Sequence, residues 1–330
     1  MRDSESDQRA LLDIKELTVW FDTPKGRRLA LDRIGLTVAR NDALSVVGES
    51  GSGKSVLSKA IMSILPKNAH VANESSIKFD SIDMVHSREK TLRAIRGRRI
   101  AMIFQDPMTA LNPTRSVGAQ LAEGMRFHLN ISRRDARSRA VDLLKDVGIS
   151  VPEKRVDQFP HELSGGMRQR VMIAMAISCE PELLIADEAT TALDVTVQAD
   201  ILELIRSLRQ SRNMALILIT HDLGVAANYT DRMAVMYGGQ ILEIGSTRTI
   251  FQSPVVPYTS ALLEAVPRLK DEAHAHLKTI PGRARPFGPE ELGCHFTERC
   301  PRAESTCRTS YAGSLLAGTG QEYHCWNPSC

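Results

Sequence analysis

The chain has 330 residues, 42% of them hydrophobic and 25% charged, with a formal net charge of +3. That is the make-up of an ordinary globular protein with room for one large domain and a smaller one. The charge is too small to argue for nucleic acid, no apolar run reaches the roughly 18 residues that span a bilayer, and the polar start MRDSESDQRA lacks a signal-peptide core, so a cytosolic chain with a disordered segment 1–10 is expected.

From Leu11 to Arg40 the pattern alternates, as DIKELTVWF and RLALDRIGLTVAR with PKG between them, which predicts antiparallel strands. Phe21, beside Trp20, reads either as a core residue or as a ring on which an adenine stacks. The run ALSVVG then leads into GESGSGKS, residues 48–55, and an apolar helix. This fits G-x-x-x-x-G-K-[ST], the phosphate-binding loop. Gly48, Glu49, Ser50, Gly51, Ser52 and Gly53 offer backbone N–H groups to phosphate, Lys54 reaches the β- and γ-phosphates, and Ser55 ligates Mg²⁺. IAMIF predicts a short buried strand ending at Gln105, with Asp106-Pro107 opening a turn. A helical period runs from Val117 to Val147, with Ser132 and Asp135 as a near capping box and Gly148 as its end. The arginine clusters RAIRGRR and SRRDARSR read as solvated helix faces.

Ser164, Gly165 and Gly166 open another apolar helix, which Pro181 stops. Two glycines there are costly unless a ligand approaches closely, so the sequence predicts a second anion-binding helix end. LLIA predicts a buried strand that delivers Asp187 and Glu188 to its C-terminal end, where paired acids divide the work of holding Mg²⁺ and polarising water. VTVQADILELIRSLRQ predicts an amphipathic helix, MALILITHD a buried strand delivering His221, and DRMAVMYGGQILEIG a hairpin that turns at Gly238-Gly239.

Cys179, in an apolar helical run, reads as a small core residue, whereas Cys294, Cys300, Cys307, Cys325 and Cys330 crowd the C-terminal end. A cytosolic chain seldom keeps disulfides, so the cluster predicts metal or redox chemistry. The first four are separated by five, six and seventeen residues, wider than the roughly two to four of a structural zinc pair. Four cysteines suffice for a cubane iron–sulfur cluster, and Cys300-Pro301 resembles the Cys-Pro of bacterial ferredoxin runs. Zinc and free thiols remain the alternatives, with Cys330 a tail thiol and His295 and His324 bystanders.

Together and in order, GESGSGKS, FQDP, LSGGMRQR, LLIADE, ALD and ITHD resemble the ATPase subunit of an ABC transporter over residues 11–250. The resemblance implies an α/β fold, an ABC-type P-loop ATPase with a RecA-like core, an antiparallel β subdomain and a helical subdomain near residues 106–180. It also implies roles. Residues 48–55 form the Walker A loop, Phe21 stacks on adenine, Gln105 senses Mg²⁺ and the transmembrane partner, and Asp187 is the Walker B aspartate. Glu188 becomes the general base, and His221 the switch histidine at the γ-phosphate. Leu163, Ser164, Gly165, Gly166 and Met167 form the signature loop that caps ATP on the opposite subunit, and Asp194 is the D-loop aspartate crossing that interface. Two departures are Ala189, where proline is usual, and Met167, where glutamine is commoner.

From residue 251 onward, Pro257-Tyr258-Thr259, LKTIPG and the cysteine spacing resemble the C-terminal extension of the dipeptide and oligopeptide importer ATPases of D type. That branch also contains relatives that move nickel, opines, glutathione and antimicrobial peptides. The resemblance implies a [4Fe-4S] cluster on Cys294, Cys300, Cys307 and Cys325, with ATP and Mg²⁺ as the other cofactors. It further implies a second, different ATPase subunit, two permease subunits and an extracytoplasmic solute-binding protein, with this chain peripheral on the cytoplasmic face of the membrane. A non-transport ABC ATPase acting on ribosomes or DNA is the rival, and one cassette without a coiled-coil insertion argues against it.

Overall fold

The computed structural model describes residues 10–106, 110–189, 194–266 and 279–329. Most of the N-terminal segment expected to be disordered, Pro107 of FQDP, Ala192 and Leu193 of ALD, and Cys330 lie outside the described residues.

Strands β1 (Leu12–Thr23) and β2 (Gly26–Val38) are antiparallel, with Leu12 opposite Val38 and Thr23 opposite Gly26. Leu12, Ile14, Leu17 and Val19 are fully buried, as a strand with one face on a core requires. Strand β3 (Ala43–Val47) is buried along its whole length and runs through the glycine loop into helix α1 (Lys54–Ile61). Strands β4 (Ala69–Val71), β5 (Ser76–Phe79) and β6 (Ile82–Asp83) complete the first sheet, in the order β2-β1-β5-β6 with β4 also on β1.

Helix α2 (Glu89–Ile95) and strand β7 (Ile100–Ile103) follow. The expected helix over 117–147 is two helices, α3 (Val117–Leu129) and α4 (Arg133–Asp146). The break falls at Asn130, which is left-handed with φ 52°. Asparagine tolerates that conformation better than most residues, and Ser132 then caps the new start by accepting from the Asp135 N–H at 3.1 Å. The capping box is incomplete, because the Asp135 carboxylate takes the Ser132 hydroxyl at 2.7 Å and not its backbone N–H.

The short helix α5 (Pro152–Arg155) precedes α6 (Gly165–Ile177) and strand β8 (Leu183–Asp187), which pairs in parallel with β7. Cys179 is buried as expected but lies beyond the last turn of α6. Helix α7 (Val195–Arg212), strand β9 (Ala215–Thr220), helix α8 (Leu223–Tyr229) and the hairpin β10 (Arg232–Tyr237) and β11 (Gln240–Ser246) come next. Gly238 and Gly239 have φ of 53° and 87°. Both central residues of a type I′ turn need positive φ, which explains the glycine pair.

Helix α9 (Thr247–Gln252) spans the start of the extension, which contributes α10 (Pro257–Glu264), α11 (Ser305–Thr309), β12 (Leu315–Leu316) and β13 (Glu322–Tyr323).

The chain divides into two compact units. The first holds residues 1–39, 43–86 and 218–330, and the second holds 40–42 and 87–217, so the chain passes from one to the other within β9. In the first unit, β10 runs parallel to β3, and β13 adds to β11 through Glu243 opposite Tyr323. The extension shares that unit's core: Tyr258 and Phe296 pack with Val47, Val235, Tyr237 and Leu242. The rings of Tyr237, Tyr258 and Phe296 lie 4.8–5.1 Å apart, within the range of favourable aromatic contact. Glu243, fully buried on β11, accepts from the N–H groups of Val255 and Val256 at 2.9 and 3.1 Å and from the Gln321 amide at 3.0 Å. Burial raises its carboxyl pKa, and these donors oppose the shift.

Candidate nucleotide site

In the first unit the apolar β3 delivers the loop, and the loop opens α1. Lys54 is buried and folds back on its own loop, donating to the carbonyls of Gly48 and Glu49 at 2.8 and 3.0 Å and reaching the Ser52 hydroxyl at 3.4 Å. Its ammonium is thus held against the loop that the sequence predicts to cradle phosphate. Ser50 and Gly51 are exposed, Ser52 is buried, and Ser55 is half-buried at the helix start.

Gly53 has φ 104°, and a Cβ there would lie 2.6 Å from the Ala30 carbonyl oxygen and 2.8 Å from the Met236 methyl. Backbone strain and the clash add, so Gly53→Ala is expected to destabilise the chain by about 2 kcal/mol or more. A urea titration that gave an unchanged midpoint would refute this.

The loop is also gripped from the extension. Arg299 makes a bidentate ion pair with Glu49, Nη1 to Oε2 at 2.7 Å and Nη2 to Oε1 at 3.0 Å. The Tyr258 hydroxyl accepts from the Glu49 N–H at 3.1 Å. Burial pushes the Tyr258 phenol well above its ordinary pKa, so it stays neutral. Neither contact follows from local sequence pattern.

His221 is exposed at the corner between β9 and α8. Asp222 fixes the corner: its carboxylate accepts from the N–H groups of Gly224 and Val225 at 2.7 and 3.1 Å. Phe21, half-buried on β1, stands opposite Arg28 and Ala69.

In the second unit Asp187 ends β8 and is buried, and Glu188 follows in the left-handed region with φ 45°. The Gln105 amide donates to Glu188 Oε2 at 2.9 Å, so two predicted site residues meet. Gln169, buried in α6, donates to the Ala189 carbonyl at 2.6 Å and pins the turn after the acid. Sequence reasoning passed over Gln169, although it lies within LSGGMRQR. Leu163 is buried; Ser164 caps α6 by accepting from the Met167 N–H at 3.3 Å; Gly165 is exposed; and Gly166 faces Val197. Asp194 caps α7, accepting from the Val197 N–H at 2.9 Å.

Cys294, Cys300, Cys307 and Cys325 line one small cavity with Leu242 and Phe296, and none is in a disulfide. The open space is about 20 Å³, room for about one water, so the thiols must draw apart to admit anything larger. Among the described residues no three His, Cys, Asp or Glu side chains converge on a single-ion site. Burial, reinforced by the other three thiols, pushes the Cys294 thiol up to about 12, and burial also raises Cys300 and Cys325. His324 lines the same cavity, while His295 stacks on Phe287 at 3.8 Å.

The ABC transporter family model matches residues 31–191, and the model of the oligopeptide/dipeptide transporter C-terminal region matches residues 242–307. The chain is 45% identical to the dipeptide transport ATP-binding protein DppD of Bacillus subtilis (strain 168), over 96% of this chain and 94% of that one. It belongs to the ATP-binding proteins of the dipeptide and oligopeptide ABC transporters. Membership makes it an ABC-type ATPase. DppD of Escherichia coli (strain K12) is 45% identical over 97% of both chains. Among solved structures, the dimeric ATP-binding cassette MJ0796 in a post-hydrolysis state bound to ADP and Pi covers 72% of this chain and 99% of its own, with a TM-score of 0.64 and 26% identity. The fold is therefore the mixed α/β ABC cassette. No described helix is long and apolar enough to cross a membrane.

Proposed function

We propose that this chain is the ATP-hydrolysing subunit of a di- and oligopeptide importer, peripheral on the cytoplasmic face of the cell membrane. Its partners are a second, different ATPase subunit, two permease subunits and an extracytoplasmic solute-binding protein. Family membership together with the loop around Lys54 carries this reading. Residues 11–250 serve as the cassette, with residues 106–180 as its helical part, and 251–330 as the importer-specific extension.

Residues 48–55 hold the phosphates of ATP, Lys54 turns from its loop carbonyls to the β- and γ-phosphates, and Phe21 stacks on the adenine. Ser55, Asp187 and Gln105 hold Mg²⁺, which when bound draws charge from the phosphate oxygens. Glu188 orients and deprotonates the attacking water, and His221 contacts the γ-phosphate. Leu163, Ser164, Gly165, Gly166 and Met167 cap ATP bound to the partner ATPase, and Asp194 crosses the same interface.

Cys294, Cys300, Cys307 and Cys325 hold a [4Fe-4S] cluster in this proposal. Four undisulfided thiols around one cavity support it. The test is an anaerobic, mild-detergent pull-down from native membranes with iron and sulfide assays. Two multi-spanning proteins, a second ATPase and about four irons per chain are expected. Recovery of ribosomal or DNA-repair proteins would refute the importer, and stoichiometric zinc without sulfide would refute the cluster.

A further inference from the structure

Glu49 is the second residue of the phosphate loop, yet both its carboxylate and its N–H are satisfied by the extension. Arg299, one residue before Cys300, has a side chain only 7% exposed, against 28% for Glu49. Its guanidinium also donates to the Tyr237 hydroxyl at 3.2 Å and the Ile280 carbonyl at 3.2 Å, and its Nε donates to the Pro281 carbonyl at 2.7 Å. So many fixed partners leave the fork little freedom, and the Glu49 carboxylate is held where the fork dictates. A second path runs through the Gly238-Gly239 turn. Gly239 N–H donates to the Ser52 carbonyl at 2.9 Å, and the neighbouring Gln240 accepts from the His295 N–H at 3.0 Å.

We propose that Arg299 and Tyr258 are positioning residues for the nucleotide, which makes the cysteine-bearing extension a working part of the phosphate site. Two effects are combined. Tyr258 fixes the direction of the Glu49 peptide, and Arg299 neutralises a carboxylate that would otherwise repel the polyphosphate at close range. The proposal rests on the reading of residues 48–55 as the ATP phosphate site.

The test titrates the full-length chain with Mg-ADP. Arg299→Ala is expected to weaken binding about tenfold, because it leaves a bare carboxylate in the loop. Tyr258→Phe, which keeps the buried ring, is expected to cost about threefold. Glu49→Gln/Arg299→Ala is expected to return to within about threefold of the parent, because the repelling charge is gone. In the assembled transporter, Arg299→Ala is expected to raise KM for ATP about tenfold with kcat changed by less than about twofold. A merely structural arginine would not be rescued by the second substitution. Parent-like binding by both Arg299→Ala and Tyr258→Phe overturns the proposal, as does a double variant no better than Arg299→Ala. Lys54→Ala separates the two levels: if it abolishes binding while the others do not weaken it, only this proposal falls; if it too binds like the parent, the loop reading falls with it. Should Arg299→Ala fail to fold, the Tyr258→Phe titration decides: parent-like binding by it overturns the proposal.

Discussion

Glu188→Gln is expected to stop steady-state ATP hydrolysis, by at least about 100-fold, while leaving ATP binding within about twofold of the parent. Glu188 follows directly on the buried strand β8, and its backbone is held at φ 45°. For a residue with a Cβ that conformation costs roughly 1–3 kcal/mol, which persists only where the surroundings over-determine it. Here they do: the Gln169 amide holds the next carbonyl at 2.6 Å, and the Gln105 amide donates to Glu188 Oε2 at 2.9 Å. Glutamine keeps the shape and still offers an oxygen to Gln105, so the turn survives. What it loses is the ability to accept a proton from water, and the base is removed without disturbing its scaffold. Phosphate release at saturating ATP, measured beside equilibrium binding, checks both halves. Turnover within tenfold of the parent would mean that another group acts as the base.

The parts legible in the sequence are those fixed by short-range physics. Continuous apolar runs gave β3, β8 and β9 because strands buried on both faces need no alternation. The Gly238-Gly239 pair gave the hairpin because its turn demands two positive φ angles. The division at Asn130 left one trace, the near capping box at Ser132 and Asp135, although residues 117–147 keep a helical apolar period on both sides of one left-handed residue. Of the candidate site, the loop and the acid turn could be read because each is contiguous. Arg299 and Glu49 are 250 positions apart, and Tyr258 and Glu49 are 209 apart. A pairing that distant leaves no periodic trace, and Arg299 stands beside Cys300 with no motif of its own. Gln169 was hidden differently: it sits in an apolar helix, where a polar residue one residue from an arginine looks like an ordinary helix face.

Gly165→Asp is expected to leave the chain folded, to leave nucleotide binding at its own loop unchanged, and to lower ATP hydrolysis by the assembled transporter about 100-fold. Gly165 is exposed in the first turn of the 13-residue helix α6, and a Cβ built on it meets nothing within 4 Å. Among the described residues nothing therefore requires glycine there, although glycine lowers helix stability by up to about 1 kcal/mol relative to alanine. An aspartate in the first turn of a helix instead favours it by roughly 0.3–1 kcal/mol through the macrodipole. The variant should thus be as stable as the parent or slightly more so, which separates it from every substitution that inactivates by unfolding. Its carboxylate would occupy the N–H-rich helix end proposed to receive the partner's ATP, and there a negative charge opposes the polyphosphate directly. The diagnostic pattern is an unchanged or raised urea midpoint, unchanged Mg-ADP affinity of the single chain, and lost hydrolysis only after assembly with the partner ATPase. Hydrolysis at the parent rate in the assembled transporter would show that α6 meets no nucleotide, and the signature loop would then need a different role.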